Sequence, residues 1–266
     1  MRPILFLTDY GLRDEFVGVC HAVMAAAAPG VRVIDLSHGV PPQDVRRGAL
    51  ALLAAAPYAP GDAVYLAVVD PGVGTERAAV AVAAGDALLV GPDNGLLSMA
   101  WEALGGADRA VAIDAPAAAS ATFHGRDVFA PSAARLAAGA SIEELGSAVD
   151  PASLLRLPVP RPRPAAGGVE AEVIGVDRFG NVQLGARPGD VPAGLGDVVR
   201  VGAAGSAVPC RRVRTFAEVP PGEVAVLVDS AGWLALVAPG GSAAGILGLR
   251  PGEEVLLSLP PWDSAS

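Results

Sequence analysis

The alternation of apolar and polar positions predicts two different architectures along this chain. Short apolar runs, "PILFL", "VRVIDLSHG" and "DAVYLAVVD", have the length of strands. The segments between them, "DEFVGVCHAVMAAAAPG" and "PPQDVRRGALALLAAAPY", predict helices, and the first should begin with its acidic residues. A strand–helix–strand order is typical of a mostly parallel sheet flanked by helices, so we predict an α/β domain at the N-terminus.

The rest of the first half continues this domain. Two apolar runs joined by "AGD" within residues 78–95 predict a hairpin. Residues 109–114 predict another strand, and residues 128–139 and 141–146 predict helices. The stretch "LPVPRPRPAAGG" then alternates proline without helix or strand periodicity, which predicts a stiff, extended connector. We therefore predict an α/β domain over residues 1–160 and a second domain over residues 161–266.

The second half has almost no helical periodicity. Its apolar runs, "GVEAEVIGVD", "DVVRVGAAG", "EVAVLVDSAGWLALVA" and "EEVLLSL", are short and are separated by glycine and proline turns. This pattern predicts a smaller all-β, barrel-like domain.

Composition narrows the range of partners and mechanisms. Hydrophobic residues make up 52% of the chain and the net charge is −9, which favours a substantial core and disfavours nucleic acid or an anionic membrane as a partner. All 19 basic residues are arginine, so a lysine nucleophile is excluded. Cys20 and Cys210 have no metal-ligand spacing and are expected to be buried thiols. With no predicted signal peptide or membrane span, we expect a cytoplasmic protein.

Polar side chains follow several of the predicted strands. Asp9 ends the first strand, His38 the second, and Asp70 the third, with Arg77 seven residues later, while Asn94 ends the hairpin. Each residue alone is compatible with an ordinary turn. Because ligands bind at the carboxyl ends of strands in open α/β sheets, the group together indicates a site at that edge.

The three histidines and the missing motifs limit the chemistry further. His21 lies in a predicted helix and is expected to be structural, His38 is undecided, and His124 in "TFHGRD" is the best catalytic candidate. The sequence lacks GxSxG, HExxH, a P-loop and a GxGxxG after the first strand. A serine hydrolase, a zincin, a P-loop NTPase and an ordinary NAD enzyme are therefore disfavoured, and no metal motif is found.

Six motifs, in this order, resemble those of a known family: "TDYGLRDEFVG", "VVDPGVGTER", "GPDNGLLS", "TFHGRDVFAPSAA", "VDRFGNVQL" and "DSAGWLALVAPGGSAAGILGL". They are similar to the S-adenosyl-L-methionine (SAM) hydroxide adenosyltransferases, the DUF62 family, which is related to the 5′-fluorinases and 5′-chlorinases. The resemblance spans residues 3 to about 258. It implies that water or hydroxide attacks C5′ of SAM and yields adenosine and L-methionine, with no cofactor and no metal.

The resemblance also implies which residues act on the water. The family's Asp-Arg-His set corresponds to Asp70, Arg77 and His124. Arg77 would hold and polarise the oxygen nucleophile, while His124 and Asp70 would accept or relay its proton. The halogenases carry a tyrosine at the position of Asp70, so this residue favours hydroxide over halide.

The remaining implied contacts fall in both domains. They are Asp9, Asn94, Thr122 and Phe123 in the first, and Asp177, Asn181, Ser230, Trp233, Ala238 and Gly240 in the second. A β-turn role for Asp177 and a core-packing role for Trp233 stay open. Ala231 stands where the halogenases have an arginine near the substrate carboxylate, so the methionine end departs most from the pattern. The resemblance further implies a homotrimer, with each site between the N-terminal domain of one subunit and the C-terminal domain of the next.

Three alternatives remain open from the sequence. The first is a 5′-halogenase of the same fold. The second is a non-catalytic protein that binds adenosine or SAM without turnover. The third is a hydrolase of phosphate esters in which Asp9 and Asp70 bind a metal, and its activity would depend on Mg²⁺ or Mn²⁺.

Overall fold

The chain divides into two compact units, Met1–Pro158 and Val159–Ser266, within the predicted connector. The structure, a computed structural model, describes residues 1–191, 198–203 and 206–258. Within these ranges, no helix combines the length and the hydrophobicity needed to cross a membrane.

The first unit is built on a seven-stranded sheet with strand order β2-β1-β3-β5-β4-β6-β7. The strands are β1 (Ile4–Thr8), β2 (Val33–Ser37), β3 (Val64–Val68), β4 (Ala79–Ala84), β5 (Ala87–Pro92), β6 (Arg109–Ile113) and β7 (Gly146–Val149). The helices are α1 (Phe16–Ala27), α2 (Val45–Ala55), α3 (Ser98–Ala103) and α4 (Ala130–Ala137).

Strand direction confirms the predicted α/β architecture. β1 lies parallel to β2 and β3, and β3 lies parallel to β5. β4 is antiparallel to both β5 and β6, so β6 runs with the main set, and only β4 and β7 oppose it. Successive residues of β1 are buried on opposite faces, Leu5 on one and Phe6 on the other. Both faces of the sheet are therefore covered, as expected for parallel strands.

Three local predictions for this unit meet different outcomes. The hairpin within residues 78–95 is confirmed as β4 and β5. Helix α1 begins at Phe16, so the acidic residues precede it rather than form its first turn. The helix predicted over residues 141–146 is present as a short 3₁₀ helix, Ile142–Leu145, which leads directly into β7. A Cβ at Gly146 would lie 2.0 Å from the Ala112 carbonyl oxygen, so glycine permits the close pairing of β7 with β6.

The second unit is a closed barrel, which confirms the prediction of a barrel-like all-β domain. Its seven strands follow the order β10-β14-β13-β12-β11-β15-β9, and β9 pairs back with β10. The strands of this unit are β8 (Arg163–Ala165), β9 (Gly168–Val176), β10 (Val182–Leu184), β11 (Val198–Ala203), β12 (Ser206–Arg212), β13 (Ala225–Val228), β14 (Leu234–Val237) and β15 (Glu254–Ser258). Alternate residues of β9, beginning at Val169, are buried in the core of this unit.

The prediction that the connector contains no strand is wrong for its middle. Residues Arg163–Ala165 form β8, which pairs with β9 at the edge of the sheet. Pro164 is tolerated there because an edge strand needs no amide donor on its outer side. A short helix, α5 (Ala243–Leu247), is also present and was not predicted. Residues 197, 204–205 and 259, which belong to the predicted strands, lie outside the described ranges.

Candidate active site

A pocket of about 350 Å³ opens at the carboxyl ends of β1 and β3. These ends meet because the two strands are parallel neighbours, which is where α/β sheets bind ligands. The polar and aromatic groups that line it come from four segments that are separated in sequence; they are Asp9, Tyr10, Phe16, Gln43, Asp70, Thr122, Phe123 and His124.

The segment after β3 turns through a glycine-rich bend that brings Asp70 and Arg77 together. Gly74 has φ +77°, which favours glycine, and a Cβ there would lie 2.4 Å from the Ala121 carbonyl oxygen. The bend therefore packs directly on the segment that precedes Thr122 and His124. This close approach, rather than a free surface turn, explains why the sequence places glycine there.

Asp70, Arg77 and His124 form one hydrogen-bonded set. Arg77 Nε donates to Asp70 Oδ1 at 3.0 Å, and Arg77 Nη2 donates to Asp70 Oδ2. The same Nη2 donates to His124 Nδ1 at 3.0 Å. The side chains of Asp70 and Arg77 are only 6% and 10% exposed, so the pair is largely shielded from water. A planar guanidinium can hold a carboxylate in this two-point geometry, which a lysine could not reproduce.

Arg77 lies behind the other two members of this set. It does not line the pocket, and its guanidinium packs over the Phe129 ring at 5.1 Å. Arg77 Nη1 is buried and finds no hydrogen-bond partner among the described residues. The geometry therefore gives Arg77 a positioning role, whereas the sequence reasoning placed it in contact with the nucleophile.

The contact with Arg77 decides the tautomer of His124. A guanidinium has only donors, so His124 Nδ1 must be the acceptor in this hydrogen bond. The neutral imidazole therefore carries its proton on Nε2. In this state Nε2 offers an N–H donor and cannot itself remove a proton.

The loop before α4 is held by its own ion pair. Arg126 Nε donates to Asp127 Oδ1 at 2.7 Å, and Asp127 Oδ2 accepts from Ser120 N at 2.8 Å. The Arg126 hydrogen bond is the main reason that the pKa of Asp127 lies below its ordinary value. The loop then enters a π-helical turn, Gly125–Phe129, a feature that is frequent at functional sites. This loop delivers Thr122, Phe123 and His124 to the pocket.

Asp9 and Tyr10 form the opposite wall. Asp9 Oδ2 accepts from Gln43 N at 2.8 Å, and Gln43 has a left-handed backbone with φ +66°. The pKa of the Tyr10 hydroxyl is raised, chiefly by burial and also by nearby groups that include Asp9 and Asp70. Tyr10 therefore stays neutral and acts as a hydroxyl rather than as a phenolate.

Asn94 lies outside this pocket. Its Nδ2 donates to the Val69 carbonyl at 2.9 Å, and its Oδ1 accepts from Leu96 N at 3.1 Å. Both ends of the amide are used on backbone, so Asn94 braces the chain immediately before Asp70.

A second pocket, of about 360 Å³, lies in the barrel unit. It brings together three residues that the sequence reasoning selected, Asp177, Asn181 and Ser230. Asp177 Oδ1 accepts from Phe179 N and Asn181 N, and its Oδ2 accepts from Asn181 Nδ2 at 2.7 Å. Asp177 thus stabilises a turn and also lines the pocket.

The other residues selected from the sequence in this unit do not line the second pocket. Trp233 is 4% exposed, and the guanidinium of Arg187 stacks on its ring at 4.2 Å, which is a packing role. Ala238 is buried in the barrel core, and Gly240 has φ +74° with open space around it.

Sequence reasoning missed several residues that line the two pockets. Tyr10 and Gln43 line the first, while Arg214 and Phe216 line the second. The stretch "RTF" at residues 214–216 follows β12, and a cation beside an aromatic residue at the end of a strand was a usable signal. Gln43 had no such signal in the local pattern, and only the family resemblance, in which it stands at the position of a tryptophan in the halogenase pocket, pointed to it.

Comparison with known proteins identifies the family to which both units are similar. The model of the SAM hydroxide adenosyltransferase N-terminal domain matches residues 4–146, and that of the C-terminal domain matches residues 171–256. An (R)-S-adenosyl-L-methionine hydrolase of Salinispora tropica is 56% identical over 95% of this chain and 96% of its own length. A fluorinase of Actinoplanes sp. is 28% identical, covering 88% and 90% of the two chains.

A solved structure extends the likeness to the fold. It is an uncharacterized conserved protein of Thermotoga maritima, with TM-score 0.87 and 36% identity, and the alignment covers 96% of this chain and 99% of that one. Together with the two domain matches, this likeness shows that the chain belongs to the SAM hydroxide adenosyltransferase family.

Proposed function

We propose that this protein hydrolyses SAM to adenosine and L-methionine. The observation that carries the proposal is the set of Asp70, Arg77 and His124, with its carboxylate and its imidazole lining a pocket at the sheet edge. The names of the hydrolase relatives and the match to both family domains support the same activity.

The reaction is a displacement at C5′ of the substrate. The water oxygen forms a bond to C5′ while the bond from C5′ to sulfur breaks, and that electron pair passes to sulfur. The sulfonium becomes a neutral thioether, so the leaving group needs no general acid. One proton is released from the water, so the site must also contain a group that accepts it.

Asp70 is the proposed proton acceptor. Each of its oxygens accepts one hydrogen bond from Arg77, and a carboxylate oxygen has a second lone pair for the water. His124 donates from Nε2 to the oxygen nucleophile and holds it in line with the bond to sulfur. Arg77 holds the Asp70 carboxylate in place and keeps His124 in the donor tautomer. The sequence hypothesis of a basic histidine thereby becomes a hypothesis of a donating one.

The pocket argues against two of the alternatives. A halide would sit beside the carboxylate of Asp70, and repulsion between like charges disfavours this. A catalytic metal on Asp9 and Asp70 would compete with Arg77 for both oxygens of Asp70. We therefore propose that turnover is metal-independent.

Isotope labelling tests the reaction directly. The purified protein is incubated with SAM in ¹⁸O-water, with and without EDTA and with and without chloride, and the products are followed by mass spectrometry. We expect adenosine labelled at the 5′ oxygen in every condition. Formation of 5′-chloroadenosine would identify a halogenase, adenosine binding without product would identify a binding protein, and loss of activity with EDTA would identify a metal enzyme.

Two buried, unpaired cysteines are consistent with a cytoplasmic location for this reaction.

We further propose that the preferred substrate is the (R) sulfonium epimer, which is the epimer in the names of the hydrolase relatives. Incubation with SAM that is racemic at sulfur, followed by chromatographic separation of the epimers, measures the preference. Equal consumption of both epimers would contradict it.

Arg214 is the proposed partner of the substrate carboxylate. It is the cationic side chain among the described residues that line the second pocket. The two acids there are already engaged: Asp177 by its turn, and Asp229 by Ala231 N, Trp233 N and Gln183. Ala231 cannot supply a cation at the position where the halogenases carry arginine. Arg214 would therefore supply the missing charge from a different strand end.

A pair of substrates tests this role. Arg214→Ala should lower kcat/KM for SAM by roughly 10- to 100-fold, the usual range for a lost hydrogen bond to a charged group. With decarboxylated SAM, which has no carboxylate, the same variant should match the wild type. Arg211→Ala, in the preceding strand and exposed, is the matched control. An equal loss on both substrates would show that Arg214 does not read the carboxylate.

We also propose a homotrimer in which the first pocket of one subunit and the second pocket of the next hold one substrate. Each unit has its own polar pocket, and neither pocket alone carries all the implied contacts. Two exposed aromatic side chains of the second unit are suited to being covered by another subunit: Phe216, which lines the second pocket and is 51% exposed, and Phe179, which lies in the turn formed by Asp177 and is 68% exposed.

A further inference from the structure

Two histidines and an aspartate meet at the edge of the first unit, outside the pocket. His21 lies on α1, Asp35 on β2, and His38 directly after β2. His21 Nε2 and His38 Nε2 lie 2.9 Å and 3.1 Å from the same oxygen, Asp35 Oδ1. All three ligand atoms lie within 4.8 Å of one another. From this geometry we propose that His21, Asp35 and His38 bind a divalent metal ion.

The position of His38 is the strongest part of the argument. Its side chain is 3% exposed, and although Nε2 lies near Asp35, the buried nitrogen makes no hydrogen bond of good geometry with any described residue. A buried polar atom without such a bond is costly, and a metal ion at Nε2 would satisfy it. The lone pair of Nε2 is then directed at the ion rather than held by a proton.

The surroundings hold both rings in place. The Nδ1 of His38 is 2.9 Å from the Thr8 hydroxyl, which matches the outer hydrogen bond that orients most metal-ligating histidines. Phe6 packs edge-on against both imidazoles, with ring centroids 5.8 Å from His21 and 4.8 Å from His38. Little rearrangement is needed, because ligands about 2.1 Å from a tetrahedral ion are about 3.4 Å apart.

The ligand types decide the class of ion. Two imidazole nitrogens and one carboxylate favour borderline transition-metal ions such as Zn²⁺, Co²⁺ or Ni²⁺ over Mg²⁺ and Ca²⁺, which prefer oxygen. His21 and Asp35 are 35% and 45% exposed, so water can complete the coordination from the open side.

The site is structural rather than catalytic. None of its three residues lines the pocket, and hydrolysis of SAM needs none of them. His38 nevertheless contacts the chain that leads to Asp9, through the Thr8 hydroxyl and through its carbonyl, which accepts from Gly11 N at 2.7 Å. A bound ion would therefore tie α1 and β2 to the start of the pocket wall and stabilise the fold.

Metal titration of the full chain tests the proposal. The protein is stripped with EDTA and exchanged into buffer, then titrated with Zn²⁺ by calorimetry, with Co²⁺ by its visible absorption, and with Mg²⁺. We expect one Zn²⁺ and one Co²⁺ per chain, Kd below about 100 μM, and no Mg²⁺ binding. At an excess of about 100-fold over Kd, Zn²⁺ should raise Tm by about 5 °C.

Variants locate the ion. His21→Gln and Asp35→Asn should each weaken Zn²⁺ binding by at least about 10-fold and abolish the Tm shift, since each removes a ligand. Asp86→Asn, an exposed turn aspartate of the same unit, should bind as the wild type does. No binding tighter than about 100 μM, or equal binding by the His21 and Asp35 variants, would overturn the site. Neither result bears on SAM hydrolysis, which the labelling experiment measures separately.

Discussion

The proposed role of Asp70 places two requirements on its carboxylate. In the proposed reaction its carboxylate must be held in place while largely buried, and it must still have an acceptor free for the substrate water. Arg77 meets the first requirement, because it donates two hydrogen bonds to the carboxylate from outside the pocket. The second requirement is met because the carboxylate lines the pocket and each of its oxygens retains a lone pair. His124 is tied to the same guanidinium, so the three groups act as one unit.

Removing either group that faces the water should slow chemistry more than binding. Asp70→Asn keeps the shape but takes up a proton poorly, and His124→Ala removes the Nε2 donor. We expect each to lower turnover by about 10²- to 10⁴-fold, the range typical of groups that transfer or direct a proton. Adenosine affinity, measured by calorimetry, should change little. Asp86→Asn is the matched control, and full activity in either variant would refute the assignment.

Gly125 illustrates how closely one residue is packed into the site. A Cβ there would lie 2.1 Å from the Tyr10 hydroxyl oxygen and 3.2 Å from the Phe123 ring. Gly125→Ala should therefore displace Tyr10 and destabilise the fold by about 1–3 kcal/mol. Tyr10→Phe removes the atom that is met first, so the double variant should recover part of the lost Tm. No recovery in the double variant would show that the clash lies elsewhere.

The proposed active groups meet because of how the strands are arranged. β1 and β3 are parallel neighbours, so Asp9 and Asp70 leave the sheet at the same edge. β5 lies next to β3, and the segment after it supplies Asn94 to brace the chain before Asp70. Gly91 in β5 allows this spacing, since a Cβ there would lie 2.5 Å from the Ala67 carbonyl oxygen in β3.

Gly91→Ala should therefore separate β3 from β5. We expect a loss of about 1–3 kcal/mol in the free energy of unfolding, because the Ala67 carbonyl cannot move away from the new methyl group as a flexible side chain could. Turnover should also fall, since β3 carries Asp70. Gly18→Ala, on the exposed side of α1 with open space around it, should instead be neutral or stabilising by up to about 1 kcal/mol. Chemical denaturation measures the free energy of unfolding of both variants, and equal stability of the two would contradict the role of Gly91.

The molecule as a whole consists of two units, each with its own pocket. The first unit carries the proposed reacting groups, while the second carries Asp177, Asn181 and Arg214, which we propose for the far end of the substrate. An enzyme that needs both pockets for one substrate must bring them together, and a cyclic oligomer does so with one type of interface. In this arrangement activity would depend on assembly.

Mixed oligomers distinguish this arrangement from a site within one chain. Asp70→Asn disables the first pocket, and Ser230→Trp fills the second, so each variant alone should be nearly inactive. When the two are co-expressed, about a quarter of sites between subunits should combine two intact pockets. Light scattering should give three times the 26.5 kDa chain mass. No recovery of activity on mixing would contradict shared sites.

Much of the fold followed from local pattern. The strands β1, β2 and β3, the β4–β5 hairpin and the change to an all-β half were predicted, because apolar runs bounded by turn residues report burial directly. β7, β8 and α5 were missed. β7 and β8 are only four and three residues long, and they exist because a neighbouring strand pairs with them. A short segment carries too little periodicity to show this.

The sequence by itself determined the two-part architecture, the family resemblance and the candidates Asp70, Arg77 and His124, because motif identity and hydrophobic period are local properties. Only the tertiary structure decided what each group contacts. It moved Arg77 behind the pocket, assigned the proton of His124 to Nε2, and set Asn94 and Trp233 aside as supports. It also brought His21, Asp35 and His38 together. Hydrogen-bond direction and burial depend on groups distant along the chain, which no local pattern records.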